Sequence, residues 1–254
     1  MRDRKLLLFG GTSEEHALLR ALAPHPLEIT LCVAGEYGRA LLPAESKKLK
    51  IRAGRLTAEE MIAMISREDF FCIVDATHPY AVVASANIKK AAAMTRRPYL
   101  RLLRGKSETG EGIIVPSIRE AAEMVGKLHG AALITTGSKE LAAFTQVPHF
   151  KKRLYLRVLP AVESIRACFA LGFPASRIIA MQGPFSKELN MALMRQFGIR
   201  ILVSKESGRA GGFPEKREAA RELGVQLIVL RRPDEEGFSI TEIVPQILAL
   251  LEEK

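Results

Sequence analysis

Asp75-Ala76-Thr77-His78-Pro79-Tyr80-Ala81 places a carboxylate, a hydroxyl, an imidazole and a phenol within six consecutive positions. The segment follows the apolar run Cys72-Ile73-Val74, so it lies at the carboxyl end of a strand, where the ligand loops of α/β sheets gather. These groups can orient a polar ligand or relay a proton. They can equally build a turn, with Asp75, Thr77 and Pro79 serving geometry and His78 hydrogen-bonded in place. No Ser or Cys stands at triad spacing from His78, which argues against a hydrolase relay. Gly10-Gly11-Thr12-Ser13-Glu14-Glu15 follows the run Leu6–Phe9 in the same way. Its glycines allow a tight turn and close backbone approach, and the free N–H groups of the next helix suit a phosphate. Thr12 and Glu15 also fit a capping box, and the spacing is not G-x-G-x-x-G. After the second strand, Glu36 fits the ribose diol of NADH, while Arg39 leaves NADPH open. A solvated turn explains the same residues.

Three further loops follow the same grammar. Thr135-Thr136-Gly137-Ser138-Lys139 and Gln182-Gly183-Pro184-Phe185-Ser186 each close an apolar run and suit an anion. Ser204-Lys205-Glu206-Ser207-Gly208-Arg209-Ala210-Gly211-Gly212 is long and glycine-rich and leads to Glu215-Lys216, as a lid or close-approach loop would. Ser-Lys-Glu-Leu occurs twice, at 138–141 and 186–189, and both copies read as helix starts with serine as N-cap.

The elements that must position these loops are short β-branched strands alternating with helical patterns. That alternation predicts an α/β protein with two Rossmann-like lobes, mainly parallel sheets flanked by helices, and a cleft between them. Strands are expected at 5–9, 28–34, 71–76, 99–103, 113–115, 131–136, 153–159, 177–182, 199–203 and 225–230. Helices are expected at 13–23, 81–95, 118–129, 162–172, 186–197, 214–223 and 240–252, with a short one from Lys139. Capping boxes at Thr57/Glu60 and Ser117/Glu120 mark two helix starts. The break at Arg96-Arg97-Pro98 sets the expected boundary between a dinucleotide-binding domain, 1–98, and a second domain, 99–254.

A chain of 254 residues with 48% hydrophobic content can bury a large core, and no run approaches a membrane span. Met1-Arg2-Asp3-Arg4-Lys5 leads straight into a strand, so cytoplasm is the expected compartment. Cys32, Cys72 and Cys168 read as buried thiols, and the histidines show no metal-ligand spacing. The net charge of +10 fits a nucleic acid, a polyanionic small molecule or a merely basic surface. The basic residues form no tract, and with four Tyr and no Trp there is little for bases to stack on, so nucleic acid is not the expected partner. Arg101, Arg104, Lys139, Arg157, Lys187, Lys205, Arg209, Arg231 and Arg232 stand near strand ends, which favours an anionic ligand.

In chain order, G-G-T-x-E (Gly10 to Glu14), V-D-A-T-H-P-Y-A (Val74 to Ala81), T-G-S-K-E-L (Thr136 to Leu141), R-V-L-P (Arg157 to Pro160), Q-G-P-F-S-x-E-x-N (Gln182 to Asn190) and S-G-x-A-G-G-x-x-E-K (Ser207 to Lys216) resemble the precorrin-6A reductases of cobalamin biosynthesis. The resemblance spans nearly the whole chain. It implies a two-lobed enzyme that reduces one double bond of a polycarboxylate tetrapyrrole with a nicotinamide cofactor. Glu36-Tyr37-Gly38 is similar to the anaerobic branch, whose substrate is cobalt-precorrin-6A. NADH is therefore expected, with NADPH and the metal-free substrate as the alternative. The resemblance implies that Gly10, Gly11, Thr12 and Ser13 cradle the pyrophosphate and Glu36 the adenosine ribose, with Asp75, Thr77, His78 and Tyr80 at the nicotinamide. Ser138, Lys139, Ser186, Lys205, Ser207, Gly211, Gly212 and Lys216 would hold the macrocycle. Lys139 would fix a carboxylate or polarise the ring, and His78, Tyr80 or water would supply the proton. The rivals are an oxidoreductase or transferase for another anionic substrate and a nucleic-acid binder. The chain has no Tyr-x-x-x-Lys pair, which argues against a short-chain dehydrogenase.

Overall fold

The computed structural model describes residues 4–11, 13–40, 42–103, 105, 110, 112–208 and 211–252, with the side chains of Ser13 and Tyr37 outside that description. Chain contacts divide it into two units, Met1–Arg104 with Pro233–Lys254, and Gly105–Arg232.

In the first unit, β1 (Arg4–Phe9) sends alternate side chains into two cores. Leu6 and Leu8 pack with Leu31, Val74 and Ile243, while Leu7 and Phe9 pack with Met61, Ile65 and Ile88. A strand buried on both faces belongs to a parallel sheet covered by helices on each side. α1 (Ser13–Leu22), β2 (Leu27–Val33), α2 (Glu36–Arg39), β3 (Leu49–Ala53), α3 (Ala58–Arg67), β4 (Phe70–Asp75), α4 (Val82–Met94) and β5 (Tyr99–Arg101) follow. The sheet order is β3-β2-β1-β4-β5 and every pair is parallel. From β1 the chain steps outward to β3, then returns to β4 on the other side of β1. The β1–β4 pair is thus the topological switch point, outside whose carboxyl ends ligands bind in open α/β sheets.

The second unit contains β6 (Ile113–Val115), α5 (Ile118–Lys127), β7 (Ala131–Ile134), α6 (Phe150–Arg153), β8 (Leu154–Val158), α7 (Val162–Ala170), β9 (Ile178–Ala180), α8 (Lys187–Gln196), β10 (Ile199–Lys205), α9 (Phe213–Glu222) and β11 (Gln226–Leu230). Its six strands run β6-β11-β10-β7-β8-β9, again all parallel. The order reverses between β7 and β10. Leu133, Leu202 and Val229 of the sheet pack with Met191, Met194 and Phe213 of the helices. The expected fold class, parallel sheets flanked by helices, is the one observed. The capping box at Thr57/Glu60 forms, and Ser117 accepts from the Glu120 amide.

Three expectations change. The C-terminal helix, α10 (Ile240–Glu252), belongs to the first unit, where Ile243 and Ile247 are fully buried. Arg4 donates to the carbonyls of Leu250 and Leu251 at 3.0 and 2.6 Å, capping the helix end. The returning segment pairs with the edge of β5: Phe238 donates to the Arg101 carbonyl at 2.8 Å and Leu103 to the Phe238 carbonyl at 2.7 Å. A second domain of 99–254 therefore gives way to one of 105–232, because β5 and α10 complete the first core. β3 was not expected; as a sheet edge it buries only Ile51 fully and carries Lys50 and Arg52, a weak strand pattern. The helix expected from Lys139 is a turn followed by a 3-10 segment, Leu141–Gln146. Among the described residues no helix is long and apolar enough to cross a membrane.

Candidate active site

At the first switch point the Gly10 amide donates to the Cys32 carbonyl at 2.9 Å, and the Gly11 amide to the buried carboxylate of Glu15. Both glycine amides thus already have partners. Their contribution is space: Gly11 has φ +128 and nothing within 4 Å of where a Cβ would stand, so a ligand can approach the backbone there. Any phosphate would be held by amides opening α1, a helix of ten residues that begins at Ser13. Thr12 lies outside the described residues. Glu15 uses its carboxylate on Gly11, which fixes the loop.

The neighbouring loop is held by a buried ion network. Asp75 is fully buried, and its Oδ1 accepts from the Thr77 amide at 2.9 Å, the Thr77 hydroxyl at 2.7 Å and Arg101 at 2.9 Å. Its Oδ2 accepts from the Tyr99 hydroxyl at 3.0 Å. Arg101 also donates to the Asp75 and Thr77 carbonyls, both at 3.0 Å, and forks onto Glu235 at 2.8 and 3.2 Å. Burial, reinforced by the Asp75 charge, pushes the Tyr99 phenol well above its ordinary range. Asp75 therefore positions the loop, and Thr77, bonded to Ser85 as well at 3.0 Å, belongs to the same scaffold. His78 and Tyr80 are half-buried. His78 Nδ1 accepts from the Tyr80 amide at 3.3 Å, so Nε2 carries the proton of the neutral ring. The His78 and Tyr80 rings lie 5.5 Å apart.

At the end of β2, Glu36 opens the short α2. It lines a hollow of about 470 Å³ together with Arg39, Leu42, Pro43, Glu45 and Ile51. Arg39 meets Glu45 at 3.4 Å on the surface. Gly10, Gly11, Glu36, Thr77 and His78 thus sit at the carboxyl ends of β1, β2 and β4, one edge of one sheet.

In the second unit, Ser138 and exposed Lys139 follow β7. Ser138 donates to the Ser164 hydroxyl at 3.2 Å. Gly137 has φ +89 and open space around it, and the Thr136 hydroxyl is buried without a partner among the described residues. Lys205, ending β10, pairs with Glu140 at 2.5 Å, which ties the two loops of this switch point together. Ser207 donates to the Gly211 carbonyl at 3.2 Å and pins the glycine loop to itself. Arg209 and Ala210 lie outside the described residues. Gly212 takes φ +66 as the N-cap of α9. Ser186 accepts from the Leu189 amide at 3.3 Å as the N-cap of α8.

From sequence Arg157 is one of several strand-end cations and has no role of its own in the site. Its guanidinium is buried on β8, donates to Asn190 at 2.8 Å and stacks over Phe185 at 4.2 Å. Burial lowers its pKa to about 10. Lys216 is buried too, and its pKa is lowered to about 7 by burial first and by Arg157 second. Glu215 has one carboxylate oxygen buried without a partner among the described residues. A Cβ at Gly212 would stand 3.4 Å from Pro184, whose peptide bond to Gly183 is cis. Three motifs of the second unit, carrying Arg157, Phe185, Asn190, Gly212 and Lys216, thus converge on one cationic cluster. The signal that could have found it is an arginine inside an otherwise apolar strand, Leu154-Tyr155-Leu156-Arg157-Val158. Arg101 carries the same signal but is neutralised by Asp75 and Glu235.

The profile of the family described as precorrin-6x reductase CbiJ/CobK matches residues 5–252. The cobalt-precorrin-6A reductase of Priestia megaterium is 39% identical over 250 residues, which cover 97% of each chain. That of Salmonella typhimurium is 35% identical over 237 residues, 92% of this chain and 89% of the relative. A solved structure of CobK precorrin-6A reductase matches with a TM-score of 0.76 and 25% identity over 97% of both chains. The motifs, the two parallel sheets and a match over almost every residue converge: the chain belongs to the precorrin-6x reductase CbiJ/CobK family and is a reductase.

Proposed function

We propose that this protein reduces cobalt-precorrin-6A with NADH, the first unit holding the cofactor and the second the tetrapyrrole. The observation that carries the reading is the β3-β2-β1-β4-β5 order, with an open glycine at the end of β1 and the Asp75–Tyr80 loop at the end of β4. Cobalt follows the names of the Priestia megaterium and Salmonella typhimurium relatives. Bound reduced nicotinamide would supply the hydride.

The roles of the chain follow from its geometry. Gly10 lets the Glu15 carboxylate close against the loop, and Gly11 leaves room for the pyrophosphate beside the amides of Ser13 and the opening of α1, with Thr12 adjacent in sequence. Glu36 accepts from the adenosine ribose hydroxyls at the hollow it lines. Asp75 and Thr77 hold their loop rigid so that His78 and Tyr80 border the nicotinamide. In the second unit Lys139, Lys205, Ser138, Ser186, Ser207, Gly211, Gly212 and Lys216 surround the macrocycle, with exposed Lys139 meeting a carboxylate as a mobile point charge. Ser186 does so mainly by starting α8, and Ser207 by shaping its own loop. The second reading, NADPH, is favoured by Arg39, whose surface pairing with Glu45 is easily exchanged for a phosphate.

Parallel fluorescence titrations with NADH and NADPH test the assignment, together with Glu36→Gln. Saturable binding that favours NADH and weakens in Glu36→Gln supports it. A preference for NADPH keeps the reductase and moves the cofactor; binding of neither, with the tetrapyrrole present, removes it.

A further inference from the structure

Lys216 is placed where an ammonium ion is disfavoured three times over. It is only 7% exposed, and no hydrogen bond or ion pair reaches its ammonium group among the described residues. Its strongest charged neighbour in effect is Arg157, a like charge that is itself buried. It also lies in the first turn of α9, where the amide of Lys216 bonds the Gly212 carbonyl, and a helix N-terminus repels cations. Glu215 acts in the opposite sense but more weakly, and forms no ion pair with it. Buried charges in folded proteins are ordinarily paired. An unpaired one, beside an unpartnered Glu215 oxygen in a cluster built from three separate motifs, marks a functional group.

We propose that Lys216 is the general acid of the reduction, giving a proton to the macrocycle, and not a clamp for one of its carboxylates. The inference rests on the reductase reading. As hydride adds to one carbon of a C=C bond, the π pair moves to the neighbouring carbon. There it forms a C–H bond with a proton from Lys216 Nζ, whose N–H pair stays on nitrogen. The dihydronicotinamide is oxidised, the double bond is reduced, and the neutral amine regains a proton from water. A carboxylate clamp wants a permanent cation, as Arg157 provides; an acid works best with a pKa near the working pH. Lys216 has the environment of the second kind. Arg157, held by Asn190 and Phe185, keeps the charged form unfavourable until the proton leaves.

Lys216→Arg and Lys216→Met separate the two roles. Arginine keeps the cation but does not release a proton at neutral pH, and methionine removes both functions. One readout is the affinity for the unreduced tetrapyrrole without reduced cofactor, followed by its visible absorption. The other is single-turnover loss of nicotinamide fluorescence. Lys216→Arg is expected to bind within about threefold of wild type. Both variants are expected to transfer hydride at least ~10²-fold more slowly at saturating substrate. A rate near wild type in either variant at saturation overturns the proposal, as does a loss in Lys216→Arg confined to binding. If arginine does not fit the buried position, shown by a lost cooperative melt, Lys216→Gln replaces it under the same two criteria. Failure of wild type itself to oxidise reduced nicotinamide with the tetrapyrrole would overturn the reductase reading, a distinct result.

Discussion

Both oxygens of Asp75 are engaged inside the protein, by Thr77, Arg101 and Tyr99, although its residue type and position suggest a ligand. Arg101 in turn joins Asp75 to Glu235, at 2.9 and 2.8 Å, with exposures of 5% or less at the first pair. Removing one partner of such a pair strands a charge away from water. Arg101→Met is expected to cost about 3–5 kcal/mol, read as a shift in the urea midpoint. Retained cofactor affinity in that variant would separate the network from the cofactor loop. Lys216 presents the reverse case, a buried cation with no partner to lose. Its pKa of about 7 in the folded protein lies below its ordinary 10.5, so the unfolded chain binds more protons between those values. Stability must then rise as pH rises from about 7 toward 10.5, the penalty being complete below that window and absent above it. The charged groups acting on it are Arg157 and Glu215; on α8, Lys187 is tied to Glu222 at 2.9 Å, and Glu206 after β10 accepts from Gly208. Lys216→Met removes the slope and raises the midpoint at pH 7. Urea titrations at pH 7 and 9 check both, and an identical slope in the variant would refute the burial argument.

The repeated Ser-Lys-Glu-Leu shows what decides an element beyond its own four residues. At 186–189 serine caps α8, and Lys187-Glu188-Leu189 continue into Met191 and Met194, which reach the core. At 138–141 the same residues make a turn and then a 3-10 segment, with Ser138 bonded to Ser164 instead of capping. Ser186→Ala is expected to cost about 1 kcal/mol and Ser138→Ala measurably less, by equilibrium unfolding. The strands and loops around the candidate site were legible because each combines a buried apolar run with a glycine or hydroxyl turn. β3 was not, since an edge strand with one buried side chain lacks that run. Nor was the convergence of Arg157, Asn190 and Lys216, which depends on contacts between residues far apart in sequence. The return of residues 233–254 was hidden for the same reason. It rests on Gly237, where a Cβ would stand 2.5 Å from the Arg101 carbonyl. Gly237→Ala is accordingly expected to lose about 1–3 kcal/mol and to make α10 a site of early proteolysis.

Across the whole molecule, the net charge of +10 is not spread over idle residues alone. Several cations named from sequence as ligand candidates are engaged by acids: Arg101 by Asp75 and Glu235, Lys187 by Glu222, Lys205 by Glu140. Arg157, by contrast, is a buried cation beside Lys216 whose attraction for an anion is little screened by salt. Exposed Lys139 and the remaining surface cations are open to solvent, and their field fades beyond a Debye length of about 10 Å at 0.1 M salt. A polycarboxylate substrate should therefore be steered by the surface and held by Arg157. Raising salt from about 0.02 to 0.5 M is expected to lower kcat/KM steeply while kcat changes little, because association is screened and the buried contacts are not. Lys139→Ala should flatten part of that slope, whereas Arg157→Gln should lower kcat/KM at every salt concentration. Stopped-flow traces across the salt series make the distinction. Equal salt slopes for wild type and Lys139→Ala would remove Lys139 from substrate capture, and an unchanged kcat/KM in Arg157→Gln would remove the cluster from the site.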